Sequence, residues 1–179
     1  DTSNVYGMGR SETIIGEWLR SKRGNNPFTI ATKVGITRNP ENRFDNSKEH
    51  LTSELDASLK RLGVEAIDLY YIHRRDSRLE IEEVTETMAG FVSDGKVKSI
   101  GFSEIAPSSL RRANAVHPIA AVQSEYSLST RAPELGLLQA CKEIGAALVG
   151  FSPVGRGLLT DRPHQEESIS AMPFLATNP

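Results

Sequence analysis

What most constrains this chain is a repeated alternation: a short apolar run, then a longer stretch with apolar residues at helical spacing. Phe28 to Thr32, Ala66 to Ile72, Val97 to Phe102, Ile119 to Gln123 and Ala147 to Phe151 are the apolar runs. Their length and polar boundaries predict strands buried on both faces, as in a parallel sheet. Ser11 to Lys22 puts Ile14, Ile15, Trp18 and Leu19 on one predicted helical side, with Gly24 as the stop. Asn46 or Ser47 can cap a second helix, whose Leu51, Leu55, Leu59 and Leu62 make one stripe ending at Gly63. A third is predicted over Ile81 to Ser93 with a stop near Gly95, a fourth from Pro107 as first helical residue, and a fifth over Pro133 to Ile144 ending at Gly145.

Strand starts fall roughly 20 to 40 residues apart, the size of a β-α unit with its loops. No residue pattern recurs from unit to unit, so this is not a solenoid. The alternation therefore predicts a parallel α/β sheet with helices outside it, either doubly wound or of the (β/α)₈ TIM-barrel type. A dinucleotide fingerprint of glycines after the first strand is missing, which favours the barrel. Barrel active sites are built at the C-terminal ends of strands, and Lys33, His73, Ser103, Gln123 and Phe151 all fall at such ends.

The residue types gathered there suggest proton transfer. A phenol beside an ammonium and an imidazole can act as an acid near neutral pH, since a nearby cation favours the phenolate. Tyr6, Lys33 and His73 supply these groups, and Asp1 can hold the lysine charged. The set suits carbonyl reduction, where a proton reaches oxygen as hydride reaches carbon.

Other classes are disfavoured. A formal charge of −2 with mixed signs along the chain gives no footprint for nucleic acid or an anionic membrane. No run approaches the length of a membrane span, so the chain reads as a cytoplasmic domain. The one cysteine, Cys141, excludes an internal disulfide, has no metal-ligand cluster around it, and reads as core. His50, His117 and His164 read as non-catalytic, Trp18 as helix-to-barrel core, and Glu80 to Glu86 as an exposed helix face. Glu41, Arg43 and Asp45 lie in a polar loop and read as solvated, with lining of a substrate pocket by that loop as the alternative.

These residues resemble the aldo-keto reductases, (β/α)₈-barrel oxidoreductases that use a nicotinamide cofactor without a Rossmann domain. The resemblance runs from Asp1 to about Asp161. It is carried by Asp1-Thr2 with Tyr6-Gly7, Thr32-Lys33, Tyr71-Ile72-His73-Arg74, Ile100-Gly101-Phe102-Ser103, Val122 to Ser127, and Gly150 to Thr160. It implies Tyr6 as the general acid, Lys33 as the cation that activates it, Asp1 as the lysine's partner and His73 as the group that orients the carbonyl. Ser103 and Gln123 match positions that hydrogen-bond the nicotinamide carboxamide, and Phe151 the aromatic position that stacks on the ring. Ser152, Pro153, Val154, Gly155, Arg156 and Gly157 resemble the loop around the cofactor pyrophosphate. Glu104 stands where the family commonly has asparagine, and a carboxylate accepts but cannot donate.

The implied cofactor is NADPH, with NADP over NAD resting on the family alone, and the implied partner a small carbonyl substrate. If Phe28 to Lys33 is the third barrel strand, Ala147 to Phe151 is the seventh, and about five of eight strands are present. Residues 1–179 then read as a partial barrel domain whose two ends look cut. The alternative from another class is a cofactor-binding regulatory subunit, like the channel β subunits of this fold, without significant turnover.

Overall fold

A computed structural model describes residues 1–22, 26–37 and 39–163; the expected helix stop at Gly24, the expectation for His164 and the chain end lie outside them. Five strands, β1 (Ala31–Val34), β2 (Leu69–Ile72), β3 (Ile100–Ser103), β4 (Ala121–Glu125) and β5 (Ala147–Phe151), form one sheet in the order β1-β2-β3-β4-β5. Every pair is parallel. Sequential order without reversal is the winding of a (β/α)₈ barrel, because a doubly wound sheet reverses direction at a switch point. Helices α2 (Lys48–Leu62), α3 (Ile81–Ser93), α4 (Pro107–Val116) and α5 (Leu137–Ile144) occupy the four crossovers, and α1 (Arg10–Ser21) precedes β1.

The register sorts the two faces. Val34, Ile72, Phe102, Val122 and Leu148 form one row across the sheet, and it packs with Leu51, Leu55, Val84, Met88, Leu110 and Ala140 from the helices. Fully burying such side chains contributes about 1.5–3 kcal/mol each, which makes this layer the main source of stability. The alternate residues, Lys33, Tyr71, Gly101, Ala121 and Ala147, point to the other face. Its polar members continue toward the C-terminal strand ends as Ser103 and Gln123.

Helix ends follow local chemistry. The Ser47 hydroxyl accepts from the His50 N–H at 3.3 Å, and Gly63 closes α2. Pro107 opens α4. The expected strand starts lie too early: β1 begins at Ala31, β2 at Leu69 and β3 at Ile100. The preceding residues run toward the sheet without joining a regular ladder. Asp68 accepts the Ile30 N–H at 2.8 Å, and Ile67 meets Val97 in a single bridge. Phe28 is 60% exposed.

Two helical expectations are corrected. Trp18 is not barrel core: it is 38% exposed, packing on Phe28 with their rings 5.8 Å apart. Of the predicted side, Leu19 is buried and Ile15 packs against the core, whereas Ile14 is exposed as well; Glu12 and Gly16 complete the buried face of α1. Gly16 allows this, because a Cβ there would collide with the carbonyl oxygens of Arg61 and Leu62. The stretch from Pro133 to Ile144 is two pieces, a 3₁₀ turn at Ala132–Glu134 and then α5. Gly136 takes a φ of 118°, which redirects the chain between them and leaves Leu135 in solvent.

Candidate active site

Residues 2–4 are laid along β1 by two backbone bonds, from the Thr2 N–H to Ala31 O at 2.9 Å and from the Asn4 N–H to Lys33 O at 3.1 Å. A 3₁₀ turn over Tyr6–Gly9 then leads into α1. The pairing carries Asp1 and Tyr6 to the end of β1. Lys33 Nζ, on a side chain only 1% exposed, donates to Asp1 Oδ1 at 2.5 Å and to the Thr2 carbonyl at 2.8 Å. It lies 5.1 Å from the centroid of the Tyr6 ring. Burial lowers the Lys33 pKa and Arg74 adds to that, while charge and hydrogen bonding with Tyr6 oppose it. The Asp1 carboxylate in direct contact favours the ammonium.

His73, at the end of β2, stands edge-on to Tyr6 with ring centroids 5.8 Å apart. Burial, then Lys33, then Arg74 push its pKa down to about 3, so the imidazole is neutral. Its Nδ1 meets the buried Ser3 hydroxyl at 3.1 Å.

The strand ends of β3 and β4 present a donor beside an acceptor. Arg74 donates to Ser103 Oγ at 3.0 Å. A guanidinium can only donate, so it occupies a lone pair and leaves the Ser103 proton for another acceptor. The Gln123 amide nitrogen donates to Asp1 Oδ2 at 2.9 Å, leaving Gln123 Oε1 to accept. A primary carboxamide needs one group of each kind, so Ser103 and Gln123 fit the nicotinamide amide. Glu104 plays no part in that pair: its carboxylate accepts from the Ser124 hydroxyl at 3.2 Å and the Glu125 N–H at 2.7 Å.

Tyr6, His73, Ser103, Gln123, Phe151 and Arg156 share one cleft of about 860 Å³, together with Asp1 and Ser152. Lys33 lies beneath it. Pro153 instead lines a separate hollow with Tyr126 and Leu128. Val154, Gly155 and Gly157 build the turn after β5 without lining the cleft. Arg156 Nη2 donates to Glu125 Oε2 at 3.2 Å. Among the described residues, the non-glycine residues in the left-handed region are Met8, Glu104, Ser152 and Arg156. Each is a cleft residue or lies one or two positions from one. That conformation costs about 1–2 kcal/mol per residue, and such strain gathers at functional sites.

Several contributors were given no role by the sequence. Thr2, though part of the Asp1-Thr2 motif, acts through its carbonyl and Ser3 through one hydroxyl, contacts that depend on pairing with a strand thirty residues away. Ile36 and Phe44 form an isolated antiparallel bridge that brings them, with Arg43, to the cleft. Only the polar-loop reading of Arg43 pointed there; Asp45 accepts the Ser47 N–H instead. Among the described residues no cluster of metal-ligating side chains occurs, and no helix is long and apolar enough to cross a membrane.

A model of the aldo/keto reductase family matches residues 1–173. An aldo-keto reductase of Schizosaccharomyces pombe, named as NADP(+)-dependent, is 40% identical over 166 residues, covering 89% of this chain and 49% of its own length. The glycerol dehydrogenase of Gluconobacter oxydans superposes with a TM-score of 0.84 at 30% identity, covering 97% of this chain and 56% of that one. An aldo/keto reductase of Klebsiella pneumoniae, solved with NADP and acetate, gives 0.76 at 26% identity, with 96% and 59% covered. The chain thus spans about half the length of the curated relatives it matches.

Proposed function

Since the chain belongs to the aldo/keto reductase family, we propose that it carries the reacting centre of an NADPH-dependent enzyme interconverting aldehydes or ketones with alcohols. Residues 1–179 are then part of one barrel domain. The observation that carries this reading is the meeting of Tyr6 and His73 in one cleft beside the Lys33–Asp1 pair. A single carbonyl oxygen can reach both rings.

Tyr6 Oη gives its proton to that oxygen as negative charge develops there. The Lys33 ammonium stabilises the phenolate left behind, and Asp1 holds the ammonium in place. Neutral His73 orients the carbonyl without competing for the proton. Val5, Ile36 and Phe44 supply apolar wall on the substrate side.

The dinucleotide, when bound, supplies hydride to the carbonyl carbon. Ser103 and Gln123 would hold its carboxamide and Phe151 the face of its ring. Of the loop after β5, Ser152 and Arg156, the two residues that line the cleft, would take the pyrophosphate. The NADP named for the S. pombe relative and present with the K. pneumoniae protein supports this choice of cofactor.

Tyr6→Phe in the intact protein tests the reading. Loss of one positioned proton donor is expected to lower turnover by about 10²–10⁴-fold, with NADPH affinity retained. Near-wild-type reduction by that variant would sink the assignment. Tight NADPH binding by wild-type protein with no turnover of any carbonyl would instead favour the regulatory-subunit alternative.

A further inference from the structure

We propose that Ser3 is a positioning residue that sets the tautomer of His73: its hydroxyl donates to Nδ1, so the ring's one proton sits on Nε2, the nitrogen left to serve a substrate oxygen. The inference rests on the reading of His73 as the group that orients the carbonyl.

A neutral imidazole carries one proton, and which nitrogen holds it depends on the hydrogen bond the other makes. His73 is buried and its ring lies near two cations, Lys33 and Arg74, which disfavour a second proton. Among the described residues, the Ser3 hydroxyl is the one hydrogen-bond partner of either ring nitrogen.

Ser3 is completely buried, and its oxygen has four neighbours. His73 Nδ1 is at 3.1 Å, the Lys33 carbonyl oxygen and Asn4 Oδ1 are each at 3.3 Å, and the Val5 N–H donates to Ser3 Oγ from 3.5 Å. A hydroxyl has one proton to give. The Lys33 carbonyl already accepts the Asn4 N–H at 3.1 Å, so it does not need that proton. Asn4 Oδ1 is held near Ser3 because Asn4 Nδ2 donates to Glu54 Oε2 at 2.8 Å; its contact with the adjacent residue's hydroxyl is the longer one.

The ring nitrogen is therefore the nearest of the three acceptors, at 3.1 Å against 3.3 Å for the other two. A proton on Nδ1 would reverse this: Ser3 would accept from both His73 and Val5 and send its own proton to one of the two more distant acceptors, Asn4 Oδ1 or the Lys33 carbonyl. It would also leave Nε2 as a bare lone pair facing the cleft. Such a nitrogen repels a carbonyl oxygen instead of binding it.

Long-range ¹H–¹⁵N correlation spectra of the ¹⁵N-histidine-labelled intact protein read the tautomer directly, with His73→Gln identifying the resonances. The expected spectrum at neutral pH has a protonated, pyrrole-type Nε2 and a pyridine-type Nδ1. Ser3→Ala should mix the tautomers and lower kcat by about three- to tenfold, the effect of one neutral hydrogen bond, with a smaller change in KM. Ser3→Thr, which keeps the hydroxyl, should restore both. A wild-type ring protonated on Nδ1 overturns the proposal, even if Ser3→Ala fails to fold and even in an enzyme that Tyr6→Phe inactivates. A wild-type spectrum in folded Ser3→Ala overturns it as well. An Nε2–H ring in a protein that reduces no carbonyl upholds the tautomer and defeats the functional reading.

Discussion

Lys33 Nζ and Asp1 Oδ1 meet at 2.5 Å across a boundary between two media, with the lysine side chain 1% exposed and the aspartate side chain 44% exposed. Removing either partner therefore has a different result. An aspartate that loses its lysine can turn to water. A buried ammonium that loses its carboxylate cannot.

Asp1→Asn is accordingly expected to destabilise the protein more than Lys33→Met does. Leaving an uncompensated charge in a fully buried pair costs about 3–5 kcal/mol, and the exposure of Asp1 places this case toward or below the low end. Urea denaturation of both variants checks the order. Lys33→Met should nonetheless be the poorer catalyst, since it removes the cation beside Tyr6.

The depressed pKa of His73 makes stability depend on pH. In the unfolded chain a histidine takes up its proton near pH 6.5, but in the fold the ring stays neutral down to about 3. Between those values the unfolded state binds more protons, so stability rises with pH and falls on acidification. One proton gives a slope of at most about 1.4 kcal/mol per pH unit. Carboxylates whose pKa values are lowered, among them Asp45, Asp68 and Asp76, act in the same direction but at and below the ordinary carboxylate range. His73→Gln should thus flatten the melting-temperature profile between about pH 4.5 and 6.5. An unchanged slope would count against a neutral buried ring.

Gly16 and Gly90 should respond oppositely to alanine. A Cβ at Gly16 would run into the backbone of α2 at Arg61 and Leu62, whereas one at Gly90 meets nothing within 4 Å. Overpacking costs about 1–3 kcal/mol, and alanine gains about 1 kcal/mol over glycine in an open helical position. Thermal melts of Gly16→Ala and Gly90→Ala should shift down and up respectively.

Arg74→Met should weaken NADPH binding by about three- to tenfold, the worth of one hydrogen bond. Without the guanidinium, the Ser103 hydroxyl is no longer committed to donating outward. Fluorescence titration measures the change, and an unaltered affinity would separate Arg74 from the cofactor site.

Much of the fold was legible because its signals are local. Ser47 and Gly63 bound α2 for reasons contained within a few residues, and Pro107 opens α4 likewise. The five apolar runs named the five strands, and β5 matched Ala147 to Phe151 in full. Strand starts were less legible, since Ile30 and Ile67 are apolar but lie outside the regular ladders, the Ile30 N–H going to the Asp68 carboxylate and Ile67 making a single bridge. The face of α1 was only half legible: Ile15 and Leu19 do pack inward, but a large apolar residue such as Trp18 suggests a burial it does not have. The choice of the buried side depended instead on how closely Gly16 lets the helix approach α2.

The same division runs through the site. The alternation of short apolar runs and helical stripes, read in sequence, determined the β-α architecture and put Lys33, His73, Ser103 and Gln123 at strand ends, while Tyr6 was named by its residue type and short motif, because all of these are properties of short segments. Only the tertiary structure decided which group gives a proton to which. Ser3 reaches His73 across 70 positions, Arg74 reaches Ser103 across 29, and Gln123 reaches Asp1 across 122. Parallel pairing brings these distant residues to one end of the sheet, and burial then leaves each polar atom few partners.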